Sequence, residues 1–426
     1  MTITYSHYLN NRRLTERTQS VAAVCADNLN GWGPAVKEIQ SWPEYEPQPL
    51  RSLPRLAKKL DIGNIFVKDE SRRFGTHLGS FKALGAPYAV YCILADEVYR
   101  KIGERPSSAD LRSGKYKDLT QNVTVCVATD GNQGRGLAYG AKVFGCRCVD
   151  YIHSHVSEGR ADMMMRLGAV VIRVDGEYEA SVSRAKEDAR MNGWHFVSST
   201  SWTDFDDSIP QNVMQAYMVV VEEALGMVST LEDLTHIFVC GGVGSIAAAV
   251  FLGFFKRFQE LQQPEKSSKF PRCVVVEPKE ADCLFQSARA GEMLQSEGST
   301  RTLMAGLACR SPSPAAWKLL EWLASDFIAV PDSVAVDGMK ALAEGSEGDV
   351  PVVCGESSGA NMGVLLKSGG NSPMREKLGL NERSQCLLFS LEGATDPEIY
   401  EELVGRASEA AFKAQEKFGN SSNLQA

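Results

Sequence analysis

A lysine in the first quarter of the chain has a side chain suited to covalent chemistry. Lys82 lies in the run Gly79-Ser80-Phe81-Lys82-Ala83-Leu84-Gly85, whose small and apolar residues would remove water from its amine. A desolvated lysine amine is a competent nucleophile toward an aldehyde, with which it forms a Schiff base. The alternative interpretation of Lys82 is an exposed helical lysine that carries only solvated charge.

A glycine-rich loop far downstream has the composition of a phosphate site. The loop Cys240-Gly241-Gly242-Val243-Gly244-Ser245 lies between an apolar strand-like run and an apolar helical run. Backbone N–H groups at the start of a helix bind phosphate, and Ser245 adds a hydroxyl donor. The loop lacks the lysine of a P-loop and a complete Gly-x-Gly-x-x-Gly pattern. Its alternative interpretation is an ordinary tight turn between a strand and a helix. A nucleophilic amine and a phosphate cradle together are what an enzyme using pyridoxal 5'-phosphate needs.

A third polar loop, Thr129-Asp130-Gly131-Asn132-Gln133-Gly134-Arg135-Gly136, directly follows a strand-like run. Loops at the carboxyl ends of parallel strands are where α/β proteins place ligands. Asn132 could donate to a cofactor oxygen, and Asp130 could act as a base or hold an ammonium group. Both residues could instead cap the following helix.

The elements that must position these loops alternate between strands and helices. Strands are predicted at residues 64–68, 123–128, 147–152, 170–174, 195–198, 236–240, 273–277 and 385–390. Helical patterns between them include residues 80–91, 137–143 and 157–167. This order predicts an α/β fold with parallel-rich sheets flanked by helices, and the number of strands favours two domains.

Composition narrows the class of protein further. The 426 residues carry a net charge of -8 and include no block of like charges, which argues against a nucleic-acid partner. The start has no signal-peptide pattern, and the uncharged run 237–255 is better explained as strand, loop and buried helix than as a membrane span. The 11 scattered cysteines suit reduced thiols in a cytoplasmic protein. We expect no metal site, since His153 and His155 have no third ligand at suitable spacing.

Several motifs together resemble those of a known family. Ser80-Phe81-Lys82, Asp130-Gly131-Asn132 and Gly241 to Gly244 resemble fold-type II pyridoxal-phosphate enzymes, the group of threonine dehydratase and the tryptophan synthase β chain. Within that group the chain is most similar to the diaminopropionate ammonia-lyases. Further supporting stretches, in the family's order, begin at Val67, Val276, Met304, Gly355 and Ser390.

The resemblance implies roles for individual residues. Lys82 would be the Schiff-base lysine and Phe81 would pack beside the cofactor ring. Asn132 would bond the ring hydroxyl, and Ser390 would face the pyridine nitrogen. The phosphate would be held by five consecutive residues, namely Gly241, Gly242, Val243, Gly244 and Ser245.

The implied reaction is β-elimination of an amino acid, most simply 2,3-diaminopropionate, to pyruvate and ammonia through aminoacrylate. Asp130 would do acid/base work or hold the second ammonium of the substrate. Family members carry a second acidic residue where this chain has Ser199, in the run Ser198-Ser199-Thr200-Ser201-Trp202. Ser199 is therefore a candidate catalytic residue, and His77, Ser80 and Thr200 are candidate substrate contacts.

Other charged residues and other reactions remain open from the sequence. Glu177, Asp204, Asp206 or Asp207 could supply the missing carboxylate. The alternatives to elimination are β-replacement, dehydration of a hydroxyamino acid, and a non-catalytic binding protein that keeps the fold. We predict a large cofactor-binding domain of residues 1–91 and 236–426 and a small domain of residues 92–235 that closes over the substrate. We also expect a homodimer.

Overall fold

The structure is a computed structural model that describes residues 5–11, 31–129, 131–156, 158–176, 178–200, 208–261, 270–345, 348–370 and 372–422. The chain divides into two compact units. Unit 1 comprises Met1–Asn30, Pro47–Ser80 and Val220–Ala426, and unit 2 comprises Gly31–Glu46 and Phe81–Val219.

The strands, in chain order, are β1 (Ser6–Leu9), β2 (Leu50–Ser52), β3 (Asn64–Asp69), β4 (Thr124–Ala128), β5 (Arg147–His153), β6 (Val170–Val174), β7 (His195–Phe196), β8 (His236–Cys240), β9 (Arg272–Pro278), β10 (Asp326–Val330) and β11 (Gln385–Ser390).

The α-helices are α1 (Gly33–Gln40), α2 (Pro54–Lys59), α3 (Lys82–Ile102), α4 (Ser108–Arg112), α5 (Lys117–Thr120), α6 (Asn132–Phe144), α7 (Glu158–Arg166), α8 (Tyr178–Asn192), α9 (Ser208–Met227), α10 (Ser245–Leu261), α11 (Cys283–Ala290), α12 (Pro314–Leu323), α13 (Asp332–Glu344), α14 (Glu356–Lys367), α15 (Pro373–Leu378), α16 (Pro397–Val404) and α17 (Ser408–Ser422).

Unit 1 is built on a sheet with the strand order β1-β10-β9-β8-β11-β3-β2. Its central strands are parallel, whereas the edge strands β1 and β2 run antiparallel to their neighbours. Every residue of β8 and β10 is buried, as expected of parallel strands covered on both faces. Leu388 of β11 lies opposite Phe238 of β8. The carboxyl ends of these two strands, Ser390 and Cys240, therefore share one edge of the sheet.

Unit 2 contains a smaller, fully parallel sheet in the order β6-β5-β4-β7. Its helices α3 and α6 pack closely because two glycines of α6 face α3. A Cβ on Gly140 would lie 2.7 Å from the Pro87 Cα, and one on Gly136 would lie 2.9 Å from the Lys82 carbonyl oxygen. This contact fixes the first turns of α3, where Lys82 lies.

The predicted strands are confirmed, most of them to within a residue or two at each end. The strands β1, β2 and β10 were not predicted. The run 237–255 is strand β8, the glycine loop and helix α10, as predicted, and no helix in the described part of the chain is long and apolar enough to cross a membrane.

The unit boundaries differ from the predicted domain boundaries. Residues 31–46 and 81–91 belong to unit 2 and residues 220–235 to unit 1, although the prediction assigned them the other way. The predicted boundary after residue 91 would cut through the continuous helix α3 (Lys82–Ile102), whose whole first half packs within unit 2. The sequence pattern predicted a helix that ends at residue 91, and it contains no information on the unit in which that helix packs.

Candidate active site

The glycine loop joins the end of β8 to the start of α10 in unit 1. Gly244 has a φ of +98°, and a Cβ there would also lie 2.8 Å from a side-chain carbon of Leu320, so this position requires glycine. Within the described chain, the N–H groups of Gly242 and Val243 donate to no backbone acceptor. These amides lie directly before the first turn of α10, where the helix dipole favours an anion. The loop therefore has the properties of a phosphate cradle.

Ser390 ends β11, the strand next to β8, and is 2% exposed. Its Oγ has no hydrogen-bond partner among the described residues. The Cys354 thiol lies beside it. Burial raises the pKa of that thiol, and the Ser390 hydroxyl partly offsets the effect. A thiol is a weak hydrogen-bonding group, so the Ser390 hydroxyl keeps its capacity for a nitrogen or oxygen partner.

Main-chain contacts hold the segment that begins with Ser390. The Glu70 N–H donates to the Ser390 carbonyl oxygen (2.9 Å). The Leu391 N–H donates to Ser358 Oγ (2.9 Å). Two residues further on, the Gly393 N–H donates to the Gly79 carbonyl oxygen (2.9 Å).

The chain leading to Lys82 pairs with the same segment. Ser80, a predicted substrate contact, forms an antiparallel bridge with Glu392. Ser80 is 1% exposed and ends the Pro47–Ser80 segment of unit 1. The structure therefore places Ser80 against the segment that follows Ser390. Ser80 is two residues before Lys82 in the chain.

Lys82 itself is the first residue of α3 and is half-buried. The preceding Phe81 is buried and packs against Tyr217, with 4.7 Å between the ring centroids. The main chain of Lys82 is held by its close approach to Gly136.

Asn132 begins α6 directly after the β4 loop and is buried. Its neighbour Gln133 was missed by the sequence analysis. Gln133 is 6% exposed, and among the described residues neither its amide oxygen nor its amide nitrogen has a hydrogen-bond partner. A buried amide without partners at the carboxyl end of a sheet strand suits a polar ligand. Its place in the Thr129–Gly136 loop was the only signal in the sequence.

Several predicted residues lie outside the described part of the chain, and two others lie in a bend of unit 2. Asp130 lies outside the described residues, as do Glu177, Asp204, Asp206 and Asp207. Ser199 and Thr200 lie in a half-buried bend after β7, where the Thr200 N–H donates to Ser198 Oγ (3.1 Å).

The histidines considered as substrate contacts or metal ligands belong to different units. His77 is exposed in unit 1. In unit 2, the rings of His153 and His155 lie 6.0 Å apart. Across the described ranges, no group of three or more His, Cys, Asp or Glu side chains is arranged to hold a metal ion.

The predicted cofactor residues are divided between the units. The glycine loop and Ser390 belong to unit 1, and Phe81, Lys82 and Asn132 belong to unit 2. The residues fit pyridoxal 5'-phosphate: the loop offers backbone donors for the phosphate, and Ser390 offers a buried hydroxyl for the ring nitrogen. The individual roles of these residues stay predictions.

Comparisons with known proteins agree with this chemistry. Residues 42–380 match the family described as "Pyridoxal-phosphate dependent enzyme". A diaminopropionate ammonia-lyase of Salmonella typhimurium is 35% identical over 370 residues, which cover 85% of this chain and 89% of that protein.

Solved structures of the Escherichia coli diaminopropionate ammonia-lyase have the same fold. The selenomethionine-labelled holo enzyme aligns with a TM-score of 0.78 and 31% identity, over 95% of this chain and 97% of that chain. The same enzyme with an aminoacrylate-PLP azomethine reaction intermediate aligns with a TM-score of 0.76 and 32% identity, over 95% of this chain and 97% of that chain.

These similarities confirm the predicted fold type and the predicted cofactor. The family match covers most of the chain, and the alignments extend over nearly all of it. The chain is a member of the pyridoxal-phosphate dependent enzyme family.

Proposed function

We propose that this enzyme eliminates the β-amino group of 2,3-diaminopropionate and releases ammonia and 2-aminoacrylate. Addition of water then converts 2-aminoacrylate to pyruvate and a second ammonia. The similarity to diaminopropionate ammonia-lyases over most of the chain supports the substrate class. The observation that carries the reaction type is the buried Ser390 hydroxyl, which has no hydrogen-bond partner among the described residues and ends the strand paired with β8, the strand before the glycine loop.

Bound pyridoxal phosphate supplies an electron sink that makes the α-proton of an attached amino acid acidic. The chain would tune that sink through Ser390. A hydroxyl, unlike a carboxylate, does not force the ring nitrogen to stay protonated, so the sink is weaker. A weak sink favours reactions in which a departing β-substituent takes up the charge.

Lys82 would be the covalent attachment point of the cofactor. Lys82→Ala should abolish turnover, and reduction with borohydride should no longer fix the cofactor to the protein. Lys101→Ala is the matched control, because Lys101 is an exposed lysine on the same helix. Mass spectrometry of the reduced proteins gives the result. A Lys82→Ala variant with normal turnover would refute the assignment.

Asp130 would move a proton or hold the second ammonium of the substrate. Asp130→Asn should lower kcat by about 10²–10⁴-fold, the range of general acid/base catalysis, and leave cofactor binding unchanged. Cofactor absorbance and steady-state kinetics measure the two quantities separately. A variant with nearly wild-type kcat would make Asp130 a helix cap.

Ser199 stands where relatives carry a second carboxylate, so we propose that the enzyme acts on one enantiomer of diaminopropionate. The test is a screen of both enantiomers of diaminopropionate, serine and threonine, with pyruvate or the corresponding 2-oxo acid as the readout. Preference for serine or threonine would indicate a dehydratase. Product that forms only with an added nucleophile would indicate β-replacement.

We also propose a cytoplasmic homodimer in which the smaller domain closes over the substrate. The 44% hydrophobic and 23% charged composition supports an ordinary globular enzyme. Light scattering of the holoenzyme should give twice the mass of the 46.5 kDa chain. A monomer with full activity would contradict the proposed assembly.

A further inference from the structure

Unit 1 contains a buried cluster of four charged side chains. Lys68, Glu70 and Arg73 lie on or just after β3, and Glu223 lies on α9. The four side chains are at most 2% exposed. We call these four residues the ion cluster.

Short contacts join the members of the ion cluster. Lys68 Nζ lies 2.6 Å from Glu70 Oε1 and 2.8 Å from Glu223 Oε2. The Arg73 guanidinium donates to both oxygens of Glu70 (2.8 and 3.0 Å). It also donates to both oxygens of Glu223 (3.0 and 2.7 Å). Two forked contacts on one arginine leave each carboxylate little freedom to turn.

Stability alone is a weak reason for this arrangement. The cluster has two positive and two negative members, so its charges balance. Desolvation of buried ions offsets most of their attraction, and apolar side chains of similar volume often stabilise a fold as well or better. Burial alone would raise the pKa of Glu70, but Arg73 and Lys68 outweigh that effect and lower the pKa to about 2. The carboxylate is therefore charged and held in place.

The main chain of Glu70 links the ion cluster to the proposed cofactor site. The Glu70 N–H donates to the carbonyl oxygen of Ser390, whose hydroxyl is the proposed ring contact. From Glu70 the chain runs to Gly79 and Ser80, which pair with Gly393 and Glu392. Lys82 follows two residues later.

The ion cluster also joins segments of unit 1 that lie next to the points where the chain passes between the units. The chain passes between the units four times, and described residues flank three of these passages on both sides, at 46/47, 80/81 and 219/220. Near the first passage, the Gln48 N–H donates to Glu223 Oε2 (3.0 Å) and the Gln48 carbonyl oxygen accepts from Lys68 Nζ (3.0 Å). Glu223 itself follows the third passage, and the segment from Lys68 to Ser80 precedes the second.

We propose that the ion cluster is a positioning device: it holds the Glu70 amide against Ser390 and anchors the segment that carries Lys82. This inference rests on the cofactor roles proposed above for Ser390 and Lys82. Its four members are positioning residues, which would act on the site through the main chain of Ser390 and the segment before Lys82.

The test replaces half of the ion cluster by apolar side chains. Arg73→Met with Glu223→Leu removes one positive and one negative charge and leaves Lys68 paired with Glu70. We expect this double variant to fold with a thermal midpoint equal to or above that of the parent. We expect pyridoxal phosphate to leave it about tenfold faster, kcat to fall by about tenfold and KM to change much less. Visible circular dichroism of the bound cofactor should change as well.

The matched control is a second ion pair at the opposite end of the same sheet, with a buried aspartate and a half-buried arginine. Arg272 and Asp326 are the first residues of β9 and β10, and Asp326 is fully buried. Arg272→Met with Asp326→Leu should leave the cofactor dichroism and the release rate unchanged, whatever its thermal midpoint. A comparable loss in this control would make the effect general and overturn the proposal.

Two further measurements keep the outcomes distinct. If the variant with Arg73→Met and Glu223→Leu fails to fold, Arg73→Lys replaces it as the test. This substitution keeps the positive charge and loses the forked contact. A folded Arg73→Lys, or a folded double variant, with parental cofactor dichroism and release rate would overturn the proposal. Failure of the proposed function looks different: the parent protein itself would then show no cofactor attached at Lys82.

Discussion

The Ser390 hydroxyl is a buried polar group whose potential for a strong hydrogen bond is unused within the described chain. Leaving such a group without a partner costs on the order of 1–3 kcal/mol. A ligand that supplies the missing partner removes this cost. The Ser390 hydroxyl should therefore destabilise the cofactor-free protein slightly and increase its affinity for the cofactor.

Replacement of this hydroxyl tests the connection. Ser390→Ala should weaken binding of pyridoxal phosphate by about tenfold, because one hydrogen bond of about 1 kcal/mol or more is lost. The thermal midpoint of the cofactor-free protein should stay the same or rise. Equilibrium dialysis and thermal melts measure the two quantities.

Ser368→Ala is the control for this prediction. Ser368 is fully buried, and its Oγ donates to the Val364 carbonyl oxygen (2.8 Å) at the far end of α14. Its loss should lower stability and leave cofactor affinity unchanged. Equal affinities for Ser390→Ala and the parent would remove Ser390 from the cofactor site.

At the scale of elements, the contact between α3 and α6 decides where Lys82 is held. Gly140 permits the two helix backbones to approach, because a Cβ at this position would overlap the backbone of Pro87. Helices with larger side chains at such positions lie farther apart. The apolar periodicity of α3 identified a helix, but it contained no information on which helix would pack against it.

Gly140→Ala should lower the free energy of unfolding by about 1–3 kcal/mol, the usual cost of overpacking. Urea denaturation followed by circular dichroism measures the change. Gly226→Ala is the matched control, because Gly226 lies in α9 and a Cβ added there would have no atom within 4 Å. That control should be stabilised by about 0.5–1 kcal/mol through helix propensity. Similar effects of both substitutions would show that α3 and α6 do not meet at Gly140.

Edge strands were the elements that sequence patterns missed. β2 has three residues and β1 has four, too few for an apolar alternation to be recognised. Asp326–Val330 forms the buried strand β10, but its apolar run directly follows the apolar helix α12, and the two patterns merge. Hydrogen bonding to β9 separates them in the folded chain.

For the molecule as a whole, a buried histidine makes stability depend on pH. Burial lowers the pKa of His236 to about 4 from 6.5. Its Nε2–H donates to the Leu378 carbonyl oxygen (2.8 Å), and this hydrogen bond offsets only part of the effect of burial on the pKa, so the folded state holds the neutral ring. Because the folded-state pKa is the lower one, the unfolded chain binds the proton more tightly. The contribution of His236 to stability is complete above about pH 6.5 and is lost as the pH falls toward 4.

The lowered pKa corresponds to a loss of up to about 3 kcal/mol between pH 6.5 and 4, at 1.36 kcal/mol per pH unit. Urea unfolding across this range should show the decline in the parent protein. His236→Gln should show a smaller decline, because glutamine does not titrate. Glu70 cannot account for the difference: its contribution is lost below its ordinary pKa of 4.5, as the pH falls toward 2. Parallel pH profiles for the two proteins would contradict the assignment.

Local patterns were sufficient for the α/β class, for the order of the main strands and for the family, because strand periodicity and short motifs depend on residues close together in the chain. Short motifs also identified the candidate cofactor residues, namely Lys82, Asn132, the glycine loop and Ser390. Three features emerged only in the folded chain: the lack of hydrogen-bond partners for the Ser390 hydroxyl and for the Gln133 amide among the described residues, and the ion cluster around Arg73. Each depends on burial and on partners from distant segments, and no periodicity in a sequence records which distant side chains will share a site.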